Sequence, residues 1–181
     1  MSRTAEKDMS SMIATPPPAG LPAKVDQRAG KYLTFRLDKE EFAIQVLRVR
    51  EIMGVQEITA VPQTPPYVKG VLNLRGKVIP MVDLRLKFGM PEVEYTPRTC
   101  IIVVQIELVG AKLLTGIIVD GVSEVVTLAA GDIEDTPDFG RGVATPYLLG
   151  MAKIKGAVKI LLDINMVMTA SEISGLADVA V

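Results

Sequence analysis

The chain has 181 residues, 49% of them apolar, a net charge of −1 and one cysteine, with no histidine and no tryptophan. Such a length suits one large domain or two small ones with ample sequence for a core. The near-zero charge argues against a partner held by its phosphates, and the missing histidine removes Ser/His/Asp and Cys/His pairs, imidazole metal sites and histidine phosphoacceptors.

The lone cysteine excludes a disulfide within the chain and fits a reducing compartment. No apolar run reaches the roughly 18 residues of a membrane span, and the N-terminus lacks the apolar core of a secretory signal. These features predict a cytoplasmic protein whose partners are proteins.

Residues 1–30 mix Met, Ser, Ala and charged residues around Pro16-Pro17-Pro18, Gly20 and Pro22 without a sustained period, and read as a flexible N-terminal tail. Order begins at Tyr32–Leu37, where Leu33, Phe35 and Leu37 alternate with Thr34 and Arg36, as on a strand with one buried and one wet face. Asp38–Glu41 turns the chain and Phe42–Ile44 returns it. From Gln45 the period lengthens: Val46, Val49 and Met53 recur three and four apart, which predicts a short helix carrying Glu51 near its end and stopped at Gly54. Glu57–Val61 reads as a further strand, and the prolines of 62–66 stiffen the next connection.

Gly70–Leu84 carries the clearest local signal. Two apolar runs, Val71–Leu74 and Val78–Val82, flank the turn Arg75-Gly76-Lys77, the pattern of a hairpin that points two cations outward. Asp83 stands where it can cap a short segment, Leu84–Phe88. Pro80 cannot donate a ladder hydrogen bond, which predicts an edge strand or a bulge.

Gly89–Pro97 is a polar, proline-bounded link. Beyond it, Thr99–Leu108 and Lys112–Val119 are long apolar strands suited to a doubly covered position, with Cys100 a buried, inert thiol. Val122–Leu128 follows the Asp120-Gly121 turn, and Ala129–Pro146 is a long acidic loop. A second hairpin leads to Asp163 and a short helix over Ile164–Ala170, after which residues 171–181 read as a frayed C-terminal tail.

That second hairpin repeats the first. Gly70 aligns with Gly150, Arg75 with Lys155, Gly76 with Gly156, Val78 with Val158 and Asp83 with Asp163, eighty residues apart. Upstream, at a shift of seventy-three, Ile44 aligns with Ile117, Val49 with Val122 and Glu51 with Glu124. Two halves in the same order predict a mainly β protein of two small barrels side by side, residues 31–93 and 94–170, with short helices.

Catalytic and ligand-binding motifs fail on inspection. Gly70 to Gly76-Lys77 has the wrong spacing for a phosphate loop, and Val78 stands where Ser or Thr must bind magnesium. Asp132, Glu134, Asp135 and Asp138 lack the glycine and terminal Glu of a calcium loop, so a solvated acidic loop is expected. Ser123 has no base near it in sequence. No catalytic, metal or cofactor-binding residue is assigned, and no enzyme is expected.

Arg75 is the informative residue. An arginine at a hairpin tip is commonly just a soluble turn residue, but arginine is also over-represented among interface hot spots because its planar fork makes several directed bonds. Glu51 is the anionic candidate to pair with it. Gly70 reads equally as a turn requirement or as a site of close approach, and Val49 as core or contact.

Gly70–Arg85, with Val49-Arg50-Glu51-Ile52 upstream and Val119-Asp120-Gly121-Val122-Ser123-Glu124-Val125 downstream, resembles the CheW family of bacterial chemotaxis coupling proteins over about residues 30–170. The same module occurs as the regulatory domain of the histidine kinase CheA, but this chain is too short for a kinase, has no histidine to phosphorylate and has no room for the receiver domain of CheV-type couplers.

The resemblance implies two five-stranded SH3-like barrels, no catalysis and no cofactor. It implies an adaptor joining the cytoplasmic tips of methyl-accepting chemoreceptors to the CheA regulatory domain, recruited to membrane-attached arrays without inserting or binding nucleic acid. Family positions tied to receptor or kinase coupling fall on Val49, Glu51, Gly70 and Arg75. The alternatives are a coupler of a parallel, non-flagellar pathway or, less supported, a small-barrel binder of nucleic acid or polysaccharide.

Overall fold

The computed structural model describes residues 27–108, 110–136 and 147–168, with Glu172 and Gly175. In chain order these form β1 (Gly30–Leu37), β2 (Glu40–Gln45), β3 (Val49–Gly54), β4 (Val68–Leu74), β5 (Lys77–Asp83), α1 (Leu84–Lys87), β6 (Cys100–Leu108) and β7 (Ala111–Val119). They continue with β8 (Gly121–Leu128), β9 (Ile133–Glu134), β10 (Leu148–Ile154), β11 (Ala157–Leu162) and α2 (Ile164–Val167).

One sheet has the order β3-β6-β7-β5-β4 and the other β8-β1-β2-β11-β10-β9, the last strand being only two residues long. The molecule is therefore mainly β, two SH3-like barrels with short helices, as expected. The hydrogen bonding does not divide the chain between residues 93 and 94, however. Hairpin β1–β2 closes the barrel built from β8–β11, and hairpin β6–β7 closes the one built from β3–β5. Each half of the chain lends a hairpin to the other.

Period-two side chains explain how this exchange is held. On β6, Ile101 and Val103 fill the interior of the β3–β7 barrel, while Ile102, Val104 and Ile106 join a cluster shared by both sheets. On β1, Tyr32 belongs to the other barrel's interior, and Leu33, Phe35 and Leu37 to the shared seam. Both faces of these strands are covered, so they need no polar face. Even Thr34, expected on a wet face, is fully buried; its hydroxyl accepts from Glu124 N and donates to Glu124 O, both at 2.9 Å.

Other expectations need correction. The helix expected from Gln45 is only a 3-10 turn, Val46–Arg48, and Val49–Gly54 is a strand paired with β6. Its burial alternates as on any strand, but Glu51 takes a half-buried position and Ile52 an exposed one, so polarity does not mark the alternation. Glu57–Val61 contributes a single bridge, Thr59 to Val71, instead of a strand. β5 lies between β7 and β4, but its ladder with β7 begins only at Met81, so Pro80 stands on an inner strand at a place where the β7-facing side is unpaired. Cys100 is only partly buried, its thiol 3.2 Å from Arg98 O.

Residues 1–26 of the expected N-terminal tail lie outside the described residues, but Arg28 is buried and donates to Leu149 O at 2.7 Å, so the fold begins before residue 31. Most of 171–181 is likewise outside them. Glu172 accepts from Tyr67 Oη at 2.6 Å and is engaged by Lys87 at 2.6 Å, so this part of the segment is tied to the body.

Candidate protein-docking site

The hairpin joining β4 to β5 turns through Arg75 at φ 50° and Gly76 at φ 84°, a left-handed pair of residues that matches the twist of the flanking strands. Asn73 Oδ1 accepts from Gly76 N at 3.1 Å and closes the turn. The tip thus throws the Arg75 side chain sideways, 75% exposed, toward Glu51 on β3. Two bonds join them, Nη1 to Oε2 and Nη2 to Oε1, each 2.8 Å.

Because β3 and β4 are the two outer strands of this sheet, the pair spans the gap between its edges. An exposed pair contributes only about 0–1 kcal/mol to stability, so its consequence is orientation: the bidentate fork holds both charges in one plane at the barrel rim.

Val49 sits two residues before Glu51, across a bulge and opposite Val104, half-buried against the shared cluster. It anchors the strand that carries Glu51. Gly70 lies five residues from the tip, roughly 17 Å along the strand, so the four expected residues do not form one contact set. A Cβ on Gly70 would stand 2.0 Å from Thr59 O, and its φ of 139° disfavours any side chain. The strap over it is fixed by Thr59 N to Val71 O at 2.9 Å and Val71 N to Thr59 O at 2.8 Å. Packing alone accounts for this glycine.

The family model for the CheW-like domain matches residues 31–172. The chain belongs to the CheW-like domain family. The chemotaxis protein CheW of Klebsiella aerogenes is 38% identical over 167 residues, covering 90% of this chain and 98% of its own. That of Rhizobium meliloti is 36% identical over 140 residues, covering 77% and 88%. Among solved structures, the scaffolding protein TtCheW of Thermoanaerobacter tengcongensis matches with a TM-score of 0.69 at 30% identity, over 80% of this chain and 95% of that one.

The CheW-like repeat extends further than sequence reasoning took it. Lys155, at the tip between β10 and β11, reaches Glu124 on β8 at 3.1 and 3.4 Å, the counterpart of Arg75–Glu51 in the second barrel. Both alignments that predict this pair were legible; combining them would have found it. Beside the two acids, Ile52 and Val125 are exposed apolar residues at matching positions.

Two further polar nodes had no sequence signal. Buried Arg85 on α1 bonds Asp120 Oδ2 at 2.5 Å and Pro91 O at 3.1 Å, while the same Asp120 accepts from Asp38 N at 2.7 Å. Lys87, Tyr67 and Glu172 form the other, with Lys87 Nζ 4.6 Å from the centre of the Tyr67 ring. The negative Glu172 and burial together push the Tyr67 phenol well above its ordinary range, burial contributing most.

Of the acidic residues weighed as a calcium loop, Asp138 lies outside the described residues, Asp135 pairs with Arg28 and Asp132 accepts from Ala129 N. Among the described residues no cluster of acids, cysteines or histidines has the arrangement of a metal site.

Proposed function

We propose that the chain is a non-catalytic coupling adaptor of bacterial chemotaxis, holding the cytoplasmic tips of methyl-accepting chemoreceptors and the regulatory domain of the kinase CheA in register. The observation that carries this reading is the bidentate Arg75–Glu51 pair on the rim of a barrel of the CheW-like family. Arg75 and Glu51 supply the oriented charge, Val49 holds their strand against the core, and Gly70 keeps the Thr59 strap seated on β4.

Several such interfaces of modest strength give array stability through effective concentration, without one tight contact. Recruitment is from the cytoplasm to membrane-attached arrays; among the described residues no helix is long and apolar enough to cross a membrane. A nucleic-acid or polysaccharide binder would need an exposed stacking platform, yet Tyr32, Phe35 and Phe42 are buried.

Co-sedimentation with receptor-bearing membranes, with and without CheA, tests the reading. Arg75→Glu is expected to fold normally and to drop out of the pellet, and the charge swap Glu51→Arg/Arg75→Glu to restore part of the binding. Arg75→Glu that pellets like the unaltered chain would remove Arg75 from the docking surface.

A further inference from the structure

The two hairpin tips share a backbone and differ beside it. Arg75 and Gly76 turn at φ 50° and 84°, and Lys155 and Gly156 at 53° and 81°. The cations at the two tips are equally exposed, 75% and 76%. The first tip carries a side-chain brace, in which Asn73 Oδ1 accepts from Gly76 N at 3.1 Å. Eighty residues on, the same position is Lys153, which faces Val158 as Asn73 faces Val78. A lysine side chain only donates, so Lys153 cannot accept from Gly156 N.

The brace is therefore not what makes the turn, because the second tip reaches the same angles without it. Nor does core packing explain Asn73, which is exposed. What the bond holds is the peptide plane between Arg75 and Gly76, to which Gly76 N belongs. That plane helps to set the direction in which the Arg75 side chain leaves the tip, and any rocking of it is amplified at the end of so long a side chain.

A fork that makes two parallel bonds needs its plane and its distance right together, whereas an ammonium swivels to follow its acceptor. The braced tip is the one with two bonds of 2.8 Å to Glu51; the other ammonium lies 3.1 and 3.4 Å from Glu124.

We propose that Asn73 is the positioning residue of the docking pair: by holding the Gly76 amide it keeps the Arg75 guanidinium in the plane of the Glu51 carboxylate before any partner arrives. A pair fixed in advance by a supporting hydrogen bond loses less side-chain freedom on binding. The proposal rests on the coupling reading for the use of that geometry, and on the comparison of the two tips for the geometry itself.

The test is 15N NMR of the arginine side chains in the full chain, at a temperature where the two Nη signals of a free arginine are averaged. In the unaltered chain those of Arg75 are expected to be separate. In Asn73→Ala they are expected to merge, while the HN–Hα coupling of Arg75 stays that of a left-handed residue. The second tip supplies the converse: Lys155→Arg alone is expected to give averaged signals, and Lys153→Asn/Lys155→Arg separate ones. These two variants leave the first hairpin intact, so they decide the question even if Asn73→Ala misfolds.

In co-sedimentation with receptor membranes and CheA, Asn73→Ala is expected to weaken binding about threefold or more and to add nothing in an Arg75→Ala background. Separate Nη signals in Asn73→Ala, loss of the left-handed coupling at Arg75, or identical spectra for the two second-tip variants would overturn the proposal. So would full binding by Asn73→Ala where Arg75→Glu fails to pellet. If Arg75→Glu itself pellets normally, it is the coupling reading that falls, and the arginine spectra still decide whether Asn73 orients the fork.

Discussion

The β4–β5 and β10–β11 hairpins have nearly the same backbone: each turns through a left-handed residue and a glycine, Arg75-Gly76 and Lys155-Gly156, and each ends in an aspartate that caps a single helical turn. Their tips differ in chemistry. Arg75 meets Glu51 through two bonds of 2.8 Å, whereas the Lys155 ammonium sits 3.1 and 3.4 Å from Glu124. A guanidinium fork fixes a plane and a direction; an ammonium is a point charge that swivels. The two hairpins share the scaffold that presents an ion pair and differ in how tightly the pair is oriented, which is why the proposed docking surface is assigned to the first barrel.

The largest test of this comparison is at the glycines beneath the two straps. A Cβ on Gly70 would lie 2.0 Å from Thr59 O, and one on Gly150 2.6 Å from Glu134 O, both glycines having positive φ. Gly70→Ala is expected to cost on the order of 3 kcal/mol, and Gly150→Ala less, by urea denaturation. Equal costs would mean that the straps yield alike, and the two hairpins would lose a structural difference.

The helix caps come next. Asp83 accepts from Arg85 N at 2.9 Å and Leu86 N at 3.4 Å and is buried, whereas Asp163 accepts from Asn165 N alone, at 3.0 Å. Loss of a cap costs roughly 0.5–2 kcal/mol, so Asp83→Ala is expected near the top of that range and Asp163→Ala near its bottom in the same assay.

Arg75→Lys would give the first tip the chemistry of the second. Its stability is expected to change by less than about 1 kcal/mol, while co-sedimentation with receptor membranes and CheA falls. Lys155→Glu is expected to leave co-sedimentation unchanged; a loss equal to that of Arg75→Glu would make the two tips equivalent in function.

The smallest effect is on pH dependence. Burial, the dominant influence, raises the Asp83 carboxyl above its ordinary value, against the bonds from Leu86, Arg85 and Tyr95 and the charge of Lys69. The folded chain therefore holds this proton longer than the unfolded chain does. The associated stabilisation is complete below the unfolded-state value and disappears as pH climbs through the raised one. Asp83→Asn cannot titrate, so its melting temperature relative to the unaltered chain is expected to rise across that acidic window. A flat difference would show that Asp83 ionises alike in both states.

The hairpin, its turn and its aspartate cap were legible because each depends on residues close in the chain: Gly76 after the tip, and Asp83 immediately before Leu84. Glu51 was recognised as the partner of Arg75 although its strand was mistaken for a helix. Val46 lies in the 3-10 turn, whereas Val49 and Met53 share one side of the extended strand with Glu51 between them, so the apolar residues alone have a helix-like spacing. Thr34 read as wet because its polarity was visible and its bonds to Glu124, ninety residues away, were not.

By itself the sequence determined that the chain is β-rich, built twice over, without histidine chemistry, and furnished with two cationic hairpin tips. Turns, caps and period-two runs are short-range steric and hydrogen-bonding preferences. Only the tertiary structure decided that β1–β2 closes the second barrel and β6–β7 the first, and that Lys159 meets Glu41 in one barrel where Ile79 packs with Leu114 in the other. An apolar strand carries no label for its neighbour. Which edge it joins is settled by the burial of both its faces at once, and that becomes available only when distant segments meet.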